Sequence, residues 1–121
     1  MHLLTKCLLI SMFISFVGYS QEAADNLKYI GQKTPSLTPE IFAPNLISKK
    51  SEYEFGSVFN KALTEFYYGV DTGNTSEIRF TELVNNKWTK PKTILSSKKY
   101  GYNDPFLSPD EKRLYFISQR S

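Results

Sequence analysis

Cysteine and histidine are almost missing from this 121-residue chain, which has one of each, Cys7 and His2. Both stand close to the N-terminus. A chain that sheds that segment has no disulfide, no Ser-His-Asp or Cys-His nucleophile pair, and no His and Cys ligands for zinc or copper. Charge of one sign is also lacking: 15 Lys and Arg face 12 Asp and Glu, a formal +3. That excess is too small to imply nucleic acid or a membrane surface as partner. No apolar run reaches the about 20 residues that a membrane-spanning helix needs. No stretch of about 11 residues or more shows the apolar spacing of an amphipathic helix. No Gly-rich phosphate loop follows a strand.

An uncharged run does occupy residues 7–18, directly after Lys6. Gly18 and Ser20 then put small residues at the third and first positions before Gln21. A basic start, a short apolar run and a small-x-small site form the layout of a secretory signal peptide cut after Ser20. Cys7 stands at the start of the run rather than just after it, which disfavours a lipid-modified cysteine. The product is therefore expected in the periplasm or outside the cell, with no membrane span left after cleavage. Removing Lys6 leaves 14 basic against 12 acidic side chains, a formal +2.

Residues 21–38 are polar and without period, and read as an extended leader. From Pro39 onward, aromatic and β-branched runs recur between Gly, Pro, Asn and Asp, as strands do. Strands are expected at 40–42 with 46–48, then at 54–59, 65–70, 77–83, 87–95, 103–107 and 112–118. Asp71-Thr72-Gly73-Asn74 supplies turn residues that tolerate positive φ, and Asn85-Asn86 suits a primed hairpin turn. Ser108-Pro109-Asp110-Glu111 suits a type I turn, with Pro setting φ at the second position. Phe66-Tyr67-Tyr68 and Leu114-Tyr115-Phe116-Ile117 do not alternate with polar residues, so these strands are expected to be covered on both faces.

Shifted by 48 residues, the chain partly matches itself. Phe59, Phe66, Tyr67 and Tyr68 fall on Leu107, Leu114, Tyr115 and Phe116, and Val58 falls on Phe106. A period of this size with four short strands per unit is the spacing of propeller blades. The stretch from Asn103-Asp104-Pro105-Phe106-Leu107 through Ser108-Pro109-Asp110-Glu111 to Lys112-Arg113-Leu114-Tyr115-Phe116-Ile117-Ser118 resembles the WD-like repeat of exported bacterial TolB-type β-propellers. Ser108, Pro109, Asp110, Lys112, Leu114 and Tyr115 match that repeat. Glu111 departs from its usual Gly, and Asn60-Lys61-Ala62-Leu63 replaces the turn motif in the earlier copy. Pro39-Glu40-Ile41-Phe42-Ala43-Pro44 and Trp88-Thr89-Lys90-Pro91 also resemble segments of such proteins. The resemblance spans roughly residues 36–121. It implies an all-β fold of antiparallel blades, with blade one at about 54–95 and the start of blade two at about 103–118. That is about one and a half blades within a partial propeller at 39–121, an incomplete ring. An N-terminal fragment or truncated product is the expectation, with Phe66, Tyr68 and Phe116 partly open to partners or to self-association.

Few residues offer chemistry. Glu52 and Glu54 lie two apart, as paired carboxylates for glycoside hydrolysis can, but a solvated strand entry beside Lys49 and Lys50 is favoured. Asp104 stands where a propeller strand faces the central channel; a turn Asp bonded to its own backbone is the favoured reading. Asp110 reads as a turn residue. Lys87, Lys90, Lys92, Lys98 and Lys99, with Trp88, Tyr100 and Tyr102 among them, resemble a single-strand nucleic-acid surface. A strand edge guarded by lysine is the better account, and Trp88 is expected to pack between blades. Asn74-Thr75-Ser76 is a glycosylation triplet, of consequence only in a host with that pathway. The expectation is an exported interaction module for a protein or glycan, with no catalytic, cofactor or metal site of its own and no nucleic-acid partner. The competing expectation is the front of a propeller-containing serine peptidase or glycan-cleaving enzyme whose catalytic part lies beyond Ser121.

Overall fold

The structure, a computed structural model, describes residues 27–119. The expected signal peptide at 1–20 and residues 21–26 of the expected leader lie outside the described residues. Seven strands follow in order: β1 (Tyr53–Phe59), β2 (Glu65–Asp71), β3 (Ser76–Val84), β4 (Lys87–Trp88), β5 (Lys92–Leu95), β6 (Tyr102–Leu107) and β7 (Leu114–Ser118). All pairings between them are antiparallel. β1, β2 and β3 form the body of one sheet, with β4 and β5 both on the far edge of β3; β6 and β7 form a second sheet. The fold is all-β: one four-position blade and half of another, not closed into a ring. The stretch 87–95 is two short strands because Pro91 has no N–H for the ladder and interrupts it.

The turns follow their chemistry. Asn85 and Asn86 both have positive φ, 49° and 61°, as a type I′ hairpin requires, and they join Val84 to its partner Lys87. Between β2 and β3 the Asp71 carboxylate accepts from the Gly73 amide at 2.7 Å. The Thr72 amide donates to the Thr75 carbonyl at 2.9 Å. Gly73 takes φ 86° there, which costs glycine little.

Alternation along β2 sends Phe66, Tyr68 and Val70 to one face and Tyr67 and Gly69 to the other. The first set is buried together with Ile30, Ala43 and Ile47, and with Phe42, Leu46, Phe59 and Trp88 packed around it. Phe59 and Phe66 have ring centroids 4.5 Å apart, and Phe42 lies 5.3 Å from Phe66. Each fully buried side chain of this size contributes about 1.5–3 kcal/mol. Residues 30–47 thus roof the first sheet, which overturns the expectation that Phe66 and Tyr68 lie open: they are 4% and 1% exposed. Ile30, within the stretch expected to be an extended leader, is part of this core.

No strand forms at 40–42 or 46–48. Ala43 and Asn45 take φ 41° and 68°, which breaks the extended run. The Ala43 carbonyl accepts from the amides of Leu46, Ile47 and Ser48, so the segment knots on itself. Only one bridge remains, Pro44 with Ser48. Trp88 packs under this roof, not between the two sheets. Its indole N–H donates to the Leu27 carbonyl at 2.8 Å, and its ring lies edge-on to Phe59.

The opposite face of the first sheet carries the Phe55 ring over Gly69 and Tyr67 against Phe80 at 4.7 Å. β6 lies along β1, β2 and β3, with Tyr102, Pro105 and Leu107 buried. β2 is therefore covered on both faces, as its sequence demands. β7 is not. Its Leu114 and Phe116 share the inward side with Tyr102, whose ring meets Phe116 edge-on at 5.4 Å. Tyr115 and Ile117 face outward and are 52% and 56% exposed.

The 48-residue repeat is written into the backbone. Phe59 pairs with Phe66 and Val58 with Tyr67 in the first sheet; Leu107 pairs with Leu114 and Phe106 with Tyr115 in the second. Further along, Phe55 with Gly69 corresponds to Asn103 with Ile117, and Glu54 with Val70 to Tyr102 with Ser118. Each ladder is broken by an irregularity at the same place, where Gly56 has φ 41° and Asp104 has φ 48°. The two turns also match. Leu63 donates to the Asn60 carbonyl, as Glu111 does to Ser108. Asn60 donates to Glu65, as Ser108 does to Arg113. Leu63 and Glu111 take φ 57° and 58°.

Candidate binding surface

The Ser108–Glu111 turn is closed by its side chains. Ser108 Oγ accepts from the Arg113 amide at 3.0 Å and donates to the Asp110 carboxylate at 2.6 Å. Asp110 also accepts from the Lys112 amide. These bonds, that from Ser108 first, hold its carboxyl below the ordinary range. Asp110 is a turn residue, as its sequence context implies. In the earlier copy Asn60 Oδ1 replaces the hydroxyl and accepts from the amides of Thr64 and Glu65 at 2.8 and 3.0 Å. The two turns also touch: the Lys61 amide donates to the Glu111 carboxylate and its ammonium to the Pro109 carbonyl.

Glu52 and Glu54 do not form a facing pair. Glu54 accepts from the Lys49 amide at 3.0 Å. Glu52 lies just before β1 and is bonded at 2.7 Å to Arg79 on β3, with Lys49 at 3.3 Å. Arg79 also holds Glu77 at 2.7 Å. The hydrogen bond from Arg79 keeps the Glu52 carboxyl below its usual range. This is a cross-strand clamp rather than a solvated strand entry: Glu77 and Arg79 share one face of β3, and strand register, not spacing along the chain, brings them to Glu52. Asp104 is exposed in the bulge of β6, beside Gly56 of β1. It sits in a bulge and not in a turn.

The lysines are spread over an edge. Lys87 is on β4 and Lys92 on β5, the outermost strands of the first sheet. Lys92 lies 3.5 Å from Glu82 and 5.1 Å over the Phe80 ring; Lys99 stands over Tyr100. Lys87 and Lys92 guard that edge, whereas Lys90, Lys98 and Lys99 lie outside the strands. Asn74 is exposed in the turn before β3.

Of the features that offer room for a ligand, two stand out. An open cleft of about 540 Å³ lies between the sheet ends, with Asp71, Ser76, Lys99 and Asn103 among its lining residues. Ser76 donates to the Asn103 side chain across it. The second feature is the outward face of β6–β7, where Phe106, Tyr115 and Ile117 are all exposed. Among the described residues no three His, Cys, Asp or Glu side chains gather as a metal site would need. No described helix is long and apolar enough to cross a membrane. No family model matches the chain, and neither a curated protein nor a solved structure does.

Proposed function

We propose that this chain is an exported repeat module of the propeller kind that binds a protein or glycan and carries out no reaction of its own. The observation that carries the reading is the repeat itself: register, bulge and turn recur after 48 residues on two sheets that lie against each other. The positive φ of Glu111 adds to the likeness with TolB-type repeats, because it falls where those repeats have Gly, the residue that adopts such a φ at least cost. Glu52, Arg79 and Asp110 are engaged in clamps and turns, Tyr67 donates to Glu65 and Tyr68 is buried in the core, which favours binding over chemistry. Loops and sheet faces then do the work.

The test is direct. The 121-residue chain is expressed with its N-terminus intact in a bacterium, and the periplasmic fraction is sequenced from its first residue. The expected product begins at Gln21. The purified chain is then passed over glycan and peptide arrays, and assayed against peptide and glycoside substrates. Saturable binding without turnover is expected. Retention in the cytoplasm refutes the export reading. Turnover lost in a Glu52→Gln or Glu54→Gln variant refutes the non-catalytic one.

A further inference from the structure

Register lines up one row of side chains across the end of the first sheet. Tyr53 on β1 lies opposite Asp71 on β2, and Asp71 lies opposite Ser76 on β3. Opposed residues of an antiparallel pair share a face, here the face that carries Phe55 and Gly69 and meets the second sheet. The row runs on into that sheet, where the Ser76 hydroxyl donates to the Asn103 side chain on β6. A Cβ on Gly101 would meet Ser76 Oγ at 2.5 Å, so glycine there lets the chain entering β6 come close enough for that bond. All of these residues line the cleft of about 540 Å³. The fold does not require a ring at position 53. The Tyr53 side chain is 79% exposed, and its counterpart 48 residues on is Gly101. Asp71 likewise answers to Gln119. The repeat keeps the residues that pack and changes these, which border the cleft.

The chemistry of the lining selects the ligand. Asp71 commits one carboxylate oxygen to the Gly73 amide. Its other oxygen, the Asn103 amino group and the Tyr53 hydroxyl take no partner among the described residues. No Val, Leu, Ile or Met is among the described residues that line the cleft, so it has no pocket for an aliphatic peptide anchor. Glu54 and Asp71 stand against Lys99 alone, a balance that disfavours an anion. A flat ring beside carboxylate, carboxamide and hydroxyl groups suits a sugar. The C–H face of a sugar packs on the negative face of an aromatic ring, and its hydroxyls both donate and accept. The volume lies within the range of small-ligand sites. A second cleft, of about 410 Å³, shares Tyr53, Asp71 and Gly73 and runs on to Glu52 and Arg79. The ring therefore stands between two spaces, with room for more than one sugar unit.

We infer that the row Tyr53–Asp71–Ser76–Asn103 is a saccharide site, which takes an uncharged oligosaccharide with one unit stacked on the Tyr53 ring and its hydroxyls held by Asp71 and Asn103. The inference rests on the binding-module reading and names its ligand class.

The probes are cellotetraose, maltotetraose, chitotetraose and mannotetraose, with tetragalacturonate as the acidic counterpart, each titrated calorimetrically into the whole chain. Saturable one-to-one binding of at least one neutral member is expected, tighter than that of its monosaccharide and tighter than that of tetragalacturonate. Tyr53→Ala weakens this binding about ten-fold, and Tyr53→Phe, which keeps the ring, changes it by no more than about three-fold. Asp71→Asn weakens it about ten-fold, while its carboxamide oxygen still takes the Gly73 amide that Asp71 holds. Tyr53 is exposed, so its variants keep the fold, and circular dichroism of each chain checks this. Absence of saturable binding to every neutral member overturns the inference. So does affinity that Tyr53→Ala leaves unchanged, or tetragalacturonate binding tighter than all the neutral probes. If every saccharide fails while a peptide from the array binds, the saccharide site falls and the binding-module reading stands.

Discussion

If the two turns are one device repeated, Asn should replace Ser108 fully and Ser should replace Asn60 in part, whereas alanine should fail at either place. Asn60 is 9% exposed and Ser108 6%. Asn60→Ala strands the amides of Thr64 and Glu65, both half-buried. At about 1 kcal/mol for each, the low end for a stranded donor, the loss is about 2 kcal/mol. For a domain of this size that is a fall of about 8–16 °C in Tm. Asn60→Ser keeps an oxygen able to take the Glu65 amide, as Ser108 takes that of Arg113, and should recover about half. Ser108→Ala should cost about 1 kcal/mol and Ser108→Asn close to nothing. Urea denaturation followed by far-UV circular dichroism, with the m-value held constant across variants, gives the differences. Equal losses for Asn60→Ser and Asn60→Ala would refute the equivalence, and a harmless Asn60→Ala would refute the account of the turn.

Gly69→Ala should destabilise by about 1–3 kcal/mol, because a Cβ there meets the Phe55 ring at 2.4–2.9 Å; trimming the ring in Gly69→Ala/Phe55→Leu should recover part of it in thermal melts. Leu63→Gly should stabilise or be neutral by up to about 1 kcal/mol, since a leucine at φ 57° carries a strain that glycine lacks, set against glycine's freer unfolded chain; a clear loss in urea would show that the Leu63 side chain matters more than its backbone. Glu52 has its carboxyl held below the usual 4.5 by Arg79, so its contribution is present above about that pH and fades as pH falls through the lowered folded value. Acid titration of stability should therefore be shallower for Glu52→Gln than for the parent, and an identical slope would remove Glu52 from the clamp.

Much of the fold is visible in local patterns. The primed turn at Asn85-Asn86, the Ser108–Glu111 turn and strands β1, β2, β3, β6 and β7 follow from aromatic and β-branched runs and turn chemistry, which act over a few residues. The 48-residue shift found the repeat, but only the structure shows that Asn60-Lys61-Ala62-Leu63 closes the same turn, because a carboxamide oxygen and a hydroxyl can take the same amide. The knot at 43–48 has no local signal: Ala43 at positive φ is disfavoured in isolation, and packing of Ile47 under the sheet holds it there. The roof formed by residues 30–47 was hidden for the same reason, and with it the burial of Phe66 and Tyr68. The Glu52–Arg79–Glu77 clamp depends on strand register across 27 residues, which spacing along the chain does not reveal.

The roof over β2 gives the molecule a front and a back. On one side the aromatic row of the first sheet is already spoken for by Ile30, Phe42, Ala43 and Ile47; on the other, Phe106, Tyr115 and Ile117 still look out at water. A partner laid on the second sheet meets bare apolar surface at once, whereas one reaching for the aromatic row of the first must displace the roof to touch it.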